Sequence, residues 1–407
     1  MKFELTDQQL SVAYGIENRL ITCVKGEARC GKTTVIKFLK SRLRDRLAIL
    51  TPTHAARNVL GKSAGASVID GFLLNYRANK FSCIDYLIID EASMLATMKN
   101  LEIVRVVQEL NAERVKKGLQ SIHLVHIGDP AQLPPVETKY KDLQGIAEGP
   151  FLKMKPDMWM IKRDDFPDRK IVKTSDLTDF SKDHFWLTST NETRRILNFG
   201  LRTLICGYNS SKPRVGEKMI CNFNDRGRGF YNSFIYEIAE VVAYRDTRED
   251  QSHCYVRFKG SRIFTDKKDI VKRYVKIPRY TLDAKFEREQ ASKEPEYRNP
   301  KYRDRYDWEF AYASTVHSAQ GLEFDKIAIA VKSIDFNEDN IKMTKQLFYT
   351  AITRSTDVLI YDPDNLVSNE MMTDINCELM KAREEPDFAT KLLPYDLTTV
   401  RNYFDIS

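Results

Sequence analysis

No run in this 407-residue chain approaches the roughly eighteen consecutive apolar residues that a membrane-spanning helix needs. The polar, acidic start MKFELTDQQ is not a secretion signal, so the expectation is a cytoplasmic protein with no membrane partner. Cysteine is sparse and scattered: Cys23, Cys30, Cys83, Cys206, Cys221, Cys254 and Cys377 stand singly. The absence of any C-x-x-C pair or His at metal-ligand spacing argues against zinc and for a reducing compartment. No internal repeat at a fixed period and no low-complexity segment occurs, which sets aside solenoids and biased linkers. Charge of one sign is not in great excess either. The net charge is +7, from 64 Lys and Arg against 57 Asp and Glu, a balance that permits a polyanionic partner without demanding one. What is present, 42% hydrophobic and 30% charged residues, describes a globular chain long enough for roughly two to four domains, each with its own core.

The stretch VKGEARCGKTTVIKFLK, from Val24 to Lys40, carries the pattern G-x-x-x-x-G-K-[ST] in Gly26, Gly31, Lys32 and Thr33. Such a pattern counts when a strand precedes it and a helix follows. The apolar run Leu20 to Val24 is of strand type, and Thr33 to Leu43 places Val35, Ile36, Leu39 and Leu43 at helical spacing. Backbone amides of the loop residues Glu27, Ala28, Arg29 and Cys30 would then converge with a helix N-terminus on a polyphosphate. Lys32 would reach the β and γ phosphates, and the Thr33 hydroxyl, beside Thr34, would hold Mg²⁺.

Further strand-to-helix units follow. Thr6 reads as the N-cap of a helix running to about Leu20. LAILTPTHAARNVL (Leu47 to Leu60), YLIIDEASM (Tyr86 to Met94) with a helix to about Lys117, and IHLVHIGDPAQLPPV (Ile122 to Val136) each give an apolar strand with a polar loop after it. This alternation predicts a parallel sheet with its functional loops at the strand C-terminal ends. Asp90 and Glu91 leave one strand side by side, where a metal ligand and a base for water are wanted; an acidic helix start is the plainer alternative. Gln132, just past another strand, is placed to contact the γ phosphate and the attacking water, although GDP followed by two prolines is also turn chemistry. The segment from Lys139 to Asp183 shows no periodicity. A second α/β unit starts at His184 to Arg202. Short β-type runs between Pro213 and Ile277 suit a small antiparallel barrel. Lys272 to Trp308 interleaves basic and aromatic residues, which would suit a single strand, but Glu287, Glu289, Glu294 and Glu296 dilute it, and a solvated, charged helix pair is the favoured reading.

Taken in order, GEARCGKT, TPTHAA, DEAS, GDPAQLPPV, STVHSAQGLEF and YTAITRS resemble the motifs of superfamily 1 helicases, most closely the RecD and phage Dda branch. The resemblance covers roughly residues 5 to 362. It implies an α/β fold of two RecA-like P-loop domains with parallel sheets, ATP and Mg²⁺ in the cleft between them, DNA across their top, and a small β-barrel insertion in the second. The implied division is a first domain over 1–140, a connection over 141–183, a second domain from 184–212 and 311–365, an insertion over 213–310 and a tail over 366–407.

The implied activity is ATP-driven unwinding with movement 5′ to 3′ on single-stranded DNA, of the kind used in DNA replication, repair and recombination, in a host-cell cytoplasm if phage-encoded. A nucleic-acid-stimulated ATPase or loader that separates no strands, and a viral-type RNA helicase, remain as alternatives. Carried to matching positions, Gln9 would read adenine, Asp90 bind the metal, Glu91 activate water, Gln132 sense the γ phosphate and Arg354 act as arginine finger, with Gly321 and Glu323 near the nucleotide. Thr53, His54, Asn191, Thr315 and His317 would contact the single strand. Partners would be single-stranded and forked duplex DNA, with a single-strand-binding protein or replisome as further contacts of a monomer.

The chain departs from the pattern in three places. Glu27, Arg29 and Cys30 stand where relatives tend to have Pro, Gly and a small hydroxyl residue. Only residues 75–82 could form a strand-separating pin, with Tyr76 or Phe81 at its tip. No arginine element follows GDPAQ, which leaves Arg194 and Arg195 as stand-ins.

Overall fold

The computed structural model describes residues 4–26, 28–61, 64–75, 83–135, 158–161, 170–174, 184–206, 213–221, 230–232, 234–244, 253–258, 275–278, 308–330 and 341–362. The chain forms two compact units, one of Met1–Asp168, Asn340–Thr353 and Ser368–Ser407, the other of Arg169–Asp339 and Arg354–Val367. Among the described residues no helix is long and apolar enough to cross a membrane.

The first unit runs α1 (Asp7–Glu17), β1 (Cys23–Gly26), α2 (Lys32–Leu43), β2 (Leu47–Thr51), α3 (His54–Leu60), β3 (Ser67–Val68), α4 (Ile69–Asn75), β4 (Tyr86–Ile89), α5 (Thr97–Lys116), β5 (His123–Gly128) and β6 (Met158–Ile161). Its strands form one sheet in the order β3-β2-β4-β5-β1-β6, with every pair parallel. Side chains alternate between the faces with the period of two that a strand imposes. Val24, Ile49 and Ile88 join the core against α1 and α2, while Cys23, Leu50, Leu87 and Ile89 join the core against α4 and α5. Burial on both faces is why these strands read as unbroken apolar runs.

Helix α1 starts at a capping box: Gln9 N donates to Thr6 Oγ1 and Thr6 N donates to Gln9 Oε1. It stops earlier than its periodicity predicts. Arg19 adopts a left-handed φ of 61°, and the amides of Leu20 and Ile21 both donate to the Gly15 carbonyl. Those two amides are therefore lost to the sheet, and the expected Leu20–Val24 strand moves to Cys23–Gly26.

The second unit begins with β7 (Lys170–Thr174), β8 (His184–Thr188) and α6 (Asn191–Cys206), and continues through β9 (Lys218–Cys221), β10 (Ile235–Tyr244), β11 (His253–Phe258), β12 (Val275–Pro278), β13 (Trp308–Phe310), β14 (Ala313–Thr315) and β15 (Lys326–Ala330). Helix α7 (Ile341–Ile352) follows but belongs to the first unit, and β16 (Asp357–Tyr361) returns to the second. A parallel sheet, β14-β8-β15-β16-β7, packs on α6. An antiparallel sheet, β12-β11-β10-β9-β13, encloses Phe230, Tyr236, Phe258 and Trp308, with the last two rings stacked at 4.3 Å.

The two parallel sheets are the α/β fold that the strand and helix alternation predicts. The antiparallel sheet lies where the sequence suggests a small barrel, and the described pairings link its five strands, of three to ten residues, in a row from β12 to β13. Two expectations change. The aperiodic 139–183 segment supplies the edge strands β6 and β7, one to each parallel sheet, and β12 falls inside the basic and aromatic stretch for which a charged helix pair is the favoured sequence reading.

Candidate functional site

Register sets the site. Cys23 of β1 lies level with His126 of β5, and His126 lies level with Ile89 of β4. The residues that follow these three strands therefore leave one edge of the sheet together: the phosphate loop after Gly26, the pair Asp90 and Glu91, and the turn Asp129–Gln132.

The phosphate loop has the backbone its sequence demands. Gly31 caps α2 in the left-handed region at φ 88° with no side-chain cap bond, so the first turn of the helix is left for an anion. A Cβ at Gly31 would collide with the Gln9 amide, and one at Gly26 would come within 2.7 Å of Cys30 Sγ and 2.8 Å of Lys32 Cγ. Arg29 also has a left-handed φ, 66°. Gln9 is brought to the loop, where its Nε2 donates to the Cys30 carbonyl at 3.0 Å. Ala28 and Cys30 are buried, and Thr33 and Thr34 lie on the first turn of α2, partly exposed. Glu27 lies outside the described residues.

Lys32 is buried and its Nζ donates to the Gly26 carbonyl at 2.8 Å. Burial opposes its charge, but Cys30, Glu91, Asp129 and Asp90 together outweigh that penalty and hold its pKa above the ordinary lysine value. Asp90 is buried, and its Oδ1 accepts from the Glu91 amide at 3.0 Å. Burial first, and then the adjacent Glu91, raise its pKa against the pull of Lys32. Glu91 occupies the left-handed region at φ 51°, a backbone cost that persists where surrounding structure enforces it, often at functional sites. Gln132 is buried, and neither its Oε1 nor Glu91 Oε2 has a hydrogen-bond partner. Two orphaned acceptors beside a buried ammonium, with the Thr33 hydroxyl on the neighbouring helix turn, suit a hydrated cation and a water held against a phosphate.

Asp129, Tyr349 and Thr350 were not singled out from the sequence. Asp129 is 1% exposed, and it accepts from Tyr349 Oη at 2.7 Å and, at the limit of hydrogen-bond distance, from Gln132 Nε2 at 3.5 Å. Thr350 Oγ1 accepts from the Leu133 amide at 2.8 Å. The signal for Asp129 lay in GDPAQ, where it read as a turn residue. Tyr349 and Thr350 are 220 and 217 residues from their partners, beyond any local pattern.

In the second unit, Arg354 is buried and donates to the Leu322 carbonyl at 3.4 Å, while its own carbonyl accepts from the Phe324 amide at 2.9 Å. These bonds bring Arg354 beside the turn of Gly321, at φ 76°, and the exposed Glu323. Thr315 ends β14 with its Oγ1 donating to Ser318 Oγ and accepting from the Ser318 amide. Burial lowers the pKa of His317, and Asn191 is exposed at the start of α6. In the first unit Thr53 caps α3 through the Ala56 amide, and His54 is buried behind it. Arg194 is engaged within the second unit, its Nη2 2.5 Å from Glu309 Oε2 in an ion pair without hydrogen-bond alignment at the carboxylate. Arg195 is half-buried on the same helix. Tyr76 and Phe81 lie outside the described residues.

Residues 4–148 match the family model of an AAA domain, and residues 310–360 match that of the UvrD-like helicase C-terminal domain. No curated protein sequence matches the chain. A Pif1 helicase solved for DNA unwinding at forked double-stranded DNA by two coordinating Pif1 helicases is 19% identical, with TM-score 0.56 over 94% of this chain and 98% of that one. Bacteroides Pif1 bound to single-stranded DNA is 17% identical, with TM-score 0.55 over 94% and 98%. Bacteroides Pif1 with ADP-AlF3 and single-stranded DNA is 15% identical, with TM-score 0.53 over 94% and 99%. The motif resemblance thus holds at the level of the fold, which the chain shares with these Pif1 helicases.

Proposed function

We propose that the chain is an ATP-dependent DNA helicase that moves 5′ to 3′ on single-stranded DNA and unwinds duplexes, and that it works as a monomer. The observation that carries this reading is the cluster of buried Lys32, Asp90, Asp129 and Gln132 with half-buried Glu91 on one sheet edge around a phosphate loop. Lys32 and the amides of the loop bind the triphosphate, and Gln9, already against the loop, contacts the base. Thr33 and Asp90 would hold Mg²⁺, which neutralises charge on the phosphate oxygens. Glu91 Oε2 accepts the proton of the attacking water, and Gln132 Oε1 orients that water. Arg354, with Gly321 and Glu323 beside it, supplies positive charge for the transferring phosphoryl group. Thr53, His54, Asn191, Thr315 and His317 are the proposed contacts to the strand, and their caps and turns fix the backbone there.

Matched forked duplexes with a 5′ or a 3′ tail test the reading. The expected result is ATP-dependent release of the displaced strand from the 5′-tailed fork alone. ATP turnover with no release from either fork would leave a translocase or loader, and equal stimulation by RNA would point to an RNA helicase.

A further inference from the structure

The hydroxyl of Tyr349 sits where three parts of the first unit meet. Tyr349 is buried on α7. Its Oη donates to Asp129 Oδ2 at 2.7 Å and accepts from the amide of Ala28, within the phosphate loop, at 3.4 Å. The same helix holds the Asp129–Gln132 turn at two further points: Thr350 Oγ1 accepts from the Leu133 amide, and Gln346 Nε2 donates to the Pro130 carbonyl at 3.4 Å.

Asp129 is ionisable and acceptor-only when charged, so it selects the donor end of any amide that faces it. Its Oδ1 accepts from the Ala131 amide at 3.1 Å and its Oδ2 accepts from Gln132 Nε2. With Nε2 turned to Asp129, Gln132 leaves its carbonyl oxygen as the orphaned group. A carbonyl oxygen accepts a hydrogen bond from water and repels a phosphate oxygen. The side-chain amide orientation therefore decides whether Gln132 aligns the nucleophile or grips the γ phosphate.

We infer that Tyr349 is a positioning residue for ATP hydrolysis: by anchoring Asp129 to the phosphate loop it fixes the Gln132 amide with its oxygen toward the attacking water. This rests on the ATPase reading above. The bond network has two consequences that a purely structural tyrosine would not share. Loss of the hydroxyl acts on the chemical step rather than on nucleotide binding, because Lys32 and the α2 N-terminus remain. Its effect also passes through Gln132, so the two substitutions do not add.

Tyr349→Phe keeps the ring and removes the hydroxyl. The expected result is a kcat for DNA-stimulated ATP turnover about tenfold lower, with KM and the Kd of a fluorescent ADP analogue changed by less than about twofold. Tyr349→Phe in a Gln132→Ala background should cost no further turnover. In the nucleotide-free protein, amide hydrogen exchange over residues 128–135 should quicken about fivefold while that of α5 stays unchanged. Asp129→Asn should reproduce the kcat loss and serves if the tyrosine variant folds poorly. Wild-type kcat and wild-type exchange in Tyr349→Phe would overturn the inference, as would a loss that is undiminished on top of Gln132→Ala. If the unsubstituted chain turns over no ATP, the proposed function fails. The exchange rates still decide the Tyr349 link on their own: quickening at 128–135 supports it, and no change overturns it.

Discussion

Each unit buries a cluster of charged side chains, and the two are opposite in design. In the second unit, Glu217 accepts from Arg202 Nε at 2.5 Å, Arg202 Nη2 at 3.0 Å, the Arg214 amide at 2.6 Å and Tyr312 Oη at 2.8 Å, and the Arg202 guanidinium lies 4.0 Å over the Phe310 ring. Both carboxylate oxygens are satisfied and the charges balance. In the first unit, Lys32 faces Asp90, Glu91 and Asp129, Glu91 is held in a left-handed backbone, and acceptors of Glu91 and Gln132 have no partner. A buried polar network that is fully satisfied specifies packing, whereas one left net negative with orphaned acceptors is the arrangement on which the proposed nucleotide site rests. The same residue types therefore separate into scaffold and site by how completely they are paired.

Glu91→Gln should break the comparison hardest on the catalytic side. Turnover should fall about a hundredfold or more, the scale of a lost general base. Thermal stability should hold or rise, since a negative charge beside the raised Asp90 is removed. Steady-state kinetics together with a melting curve check both parts.

Arg202→Met should do the reverse. Leaving Glu217 buried and uncompensated costs about 3–5 kcal/mol of stability, measurable by denaturant unfolding. Arg202→Met combined with Glu217→Leu should recover most of that loss, because a well-packed apolar pair is often as stable as the buried ion pair it replaces.

A smaller, pH-dependent effect distinguishes the first unit again. His126, bonded through Nε2 to Asn100 Oδ1 at 2.9 Å, has its pKa lowered by burial to about 4. The unfolded chain takes up a proton near pH 6.5 that the folded chain refuses. Stability is therefore complete above that pH and falls as the pH drops towards 4, by at most about 3 kcal/mol. His126→Gln should flatten the stability profile across that window in urea titrations at stepped pH.

Much of the proposed site was legible in linear order. Lys32, Thr33, Asp90, Glu91 and Gln132 each sit within a few residues of a strand end, and apolar strand runs announce themselves when both faces are buried. Leu347, Phe348 and Ala351 of α7 are buried as their helical spacing predicts. The membership of α7 in the first unit was not legible, because the bonds from Tyr349 and Thr350 reach across more than two hundred residues. Strands β6 and β7 were not legible because each is a short edge strand in a segment without alternation. The early end of α1 was not legible either, because backbone bonds to Gly15 decide it, and a side-chain period does not report them.

The most direct test of the central claim, that the incomplete cluster is an ATPase site answering to a nucleic-acid strand, is ATP turnover measured while single-stranded DNA is titrated into the intact protein and into Lys32→Ala. Turnover in the unsubstituted protein should rise about tenfold or more as the strand binds, and Lys32→Ala should bind the same DNA with no turnover. Turnover that is indifferent to DNA, or that survives the loss of Lys32, would contradict it.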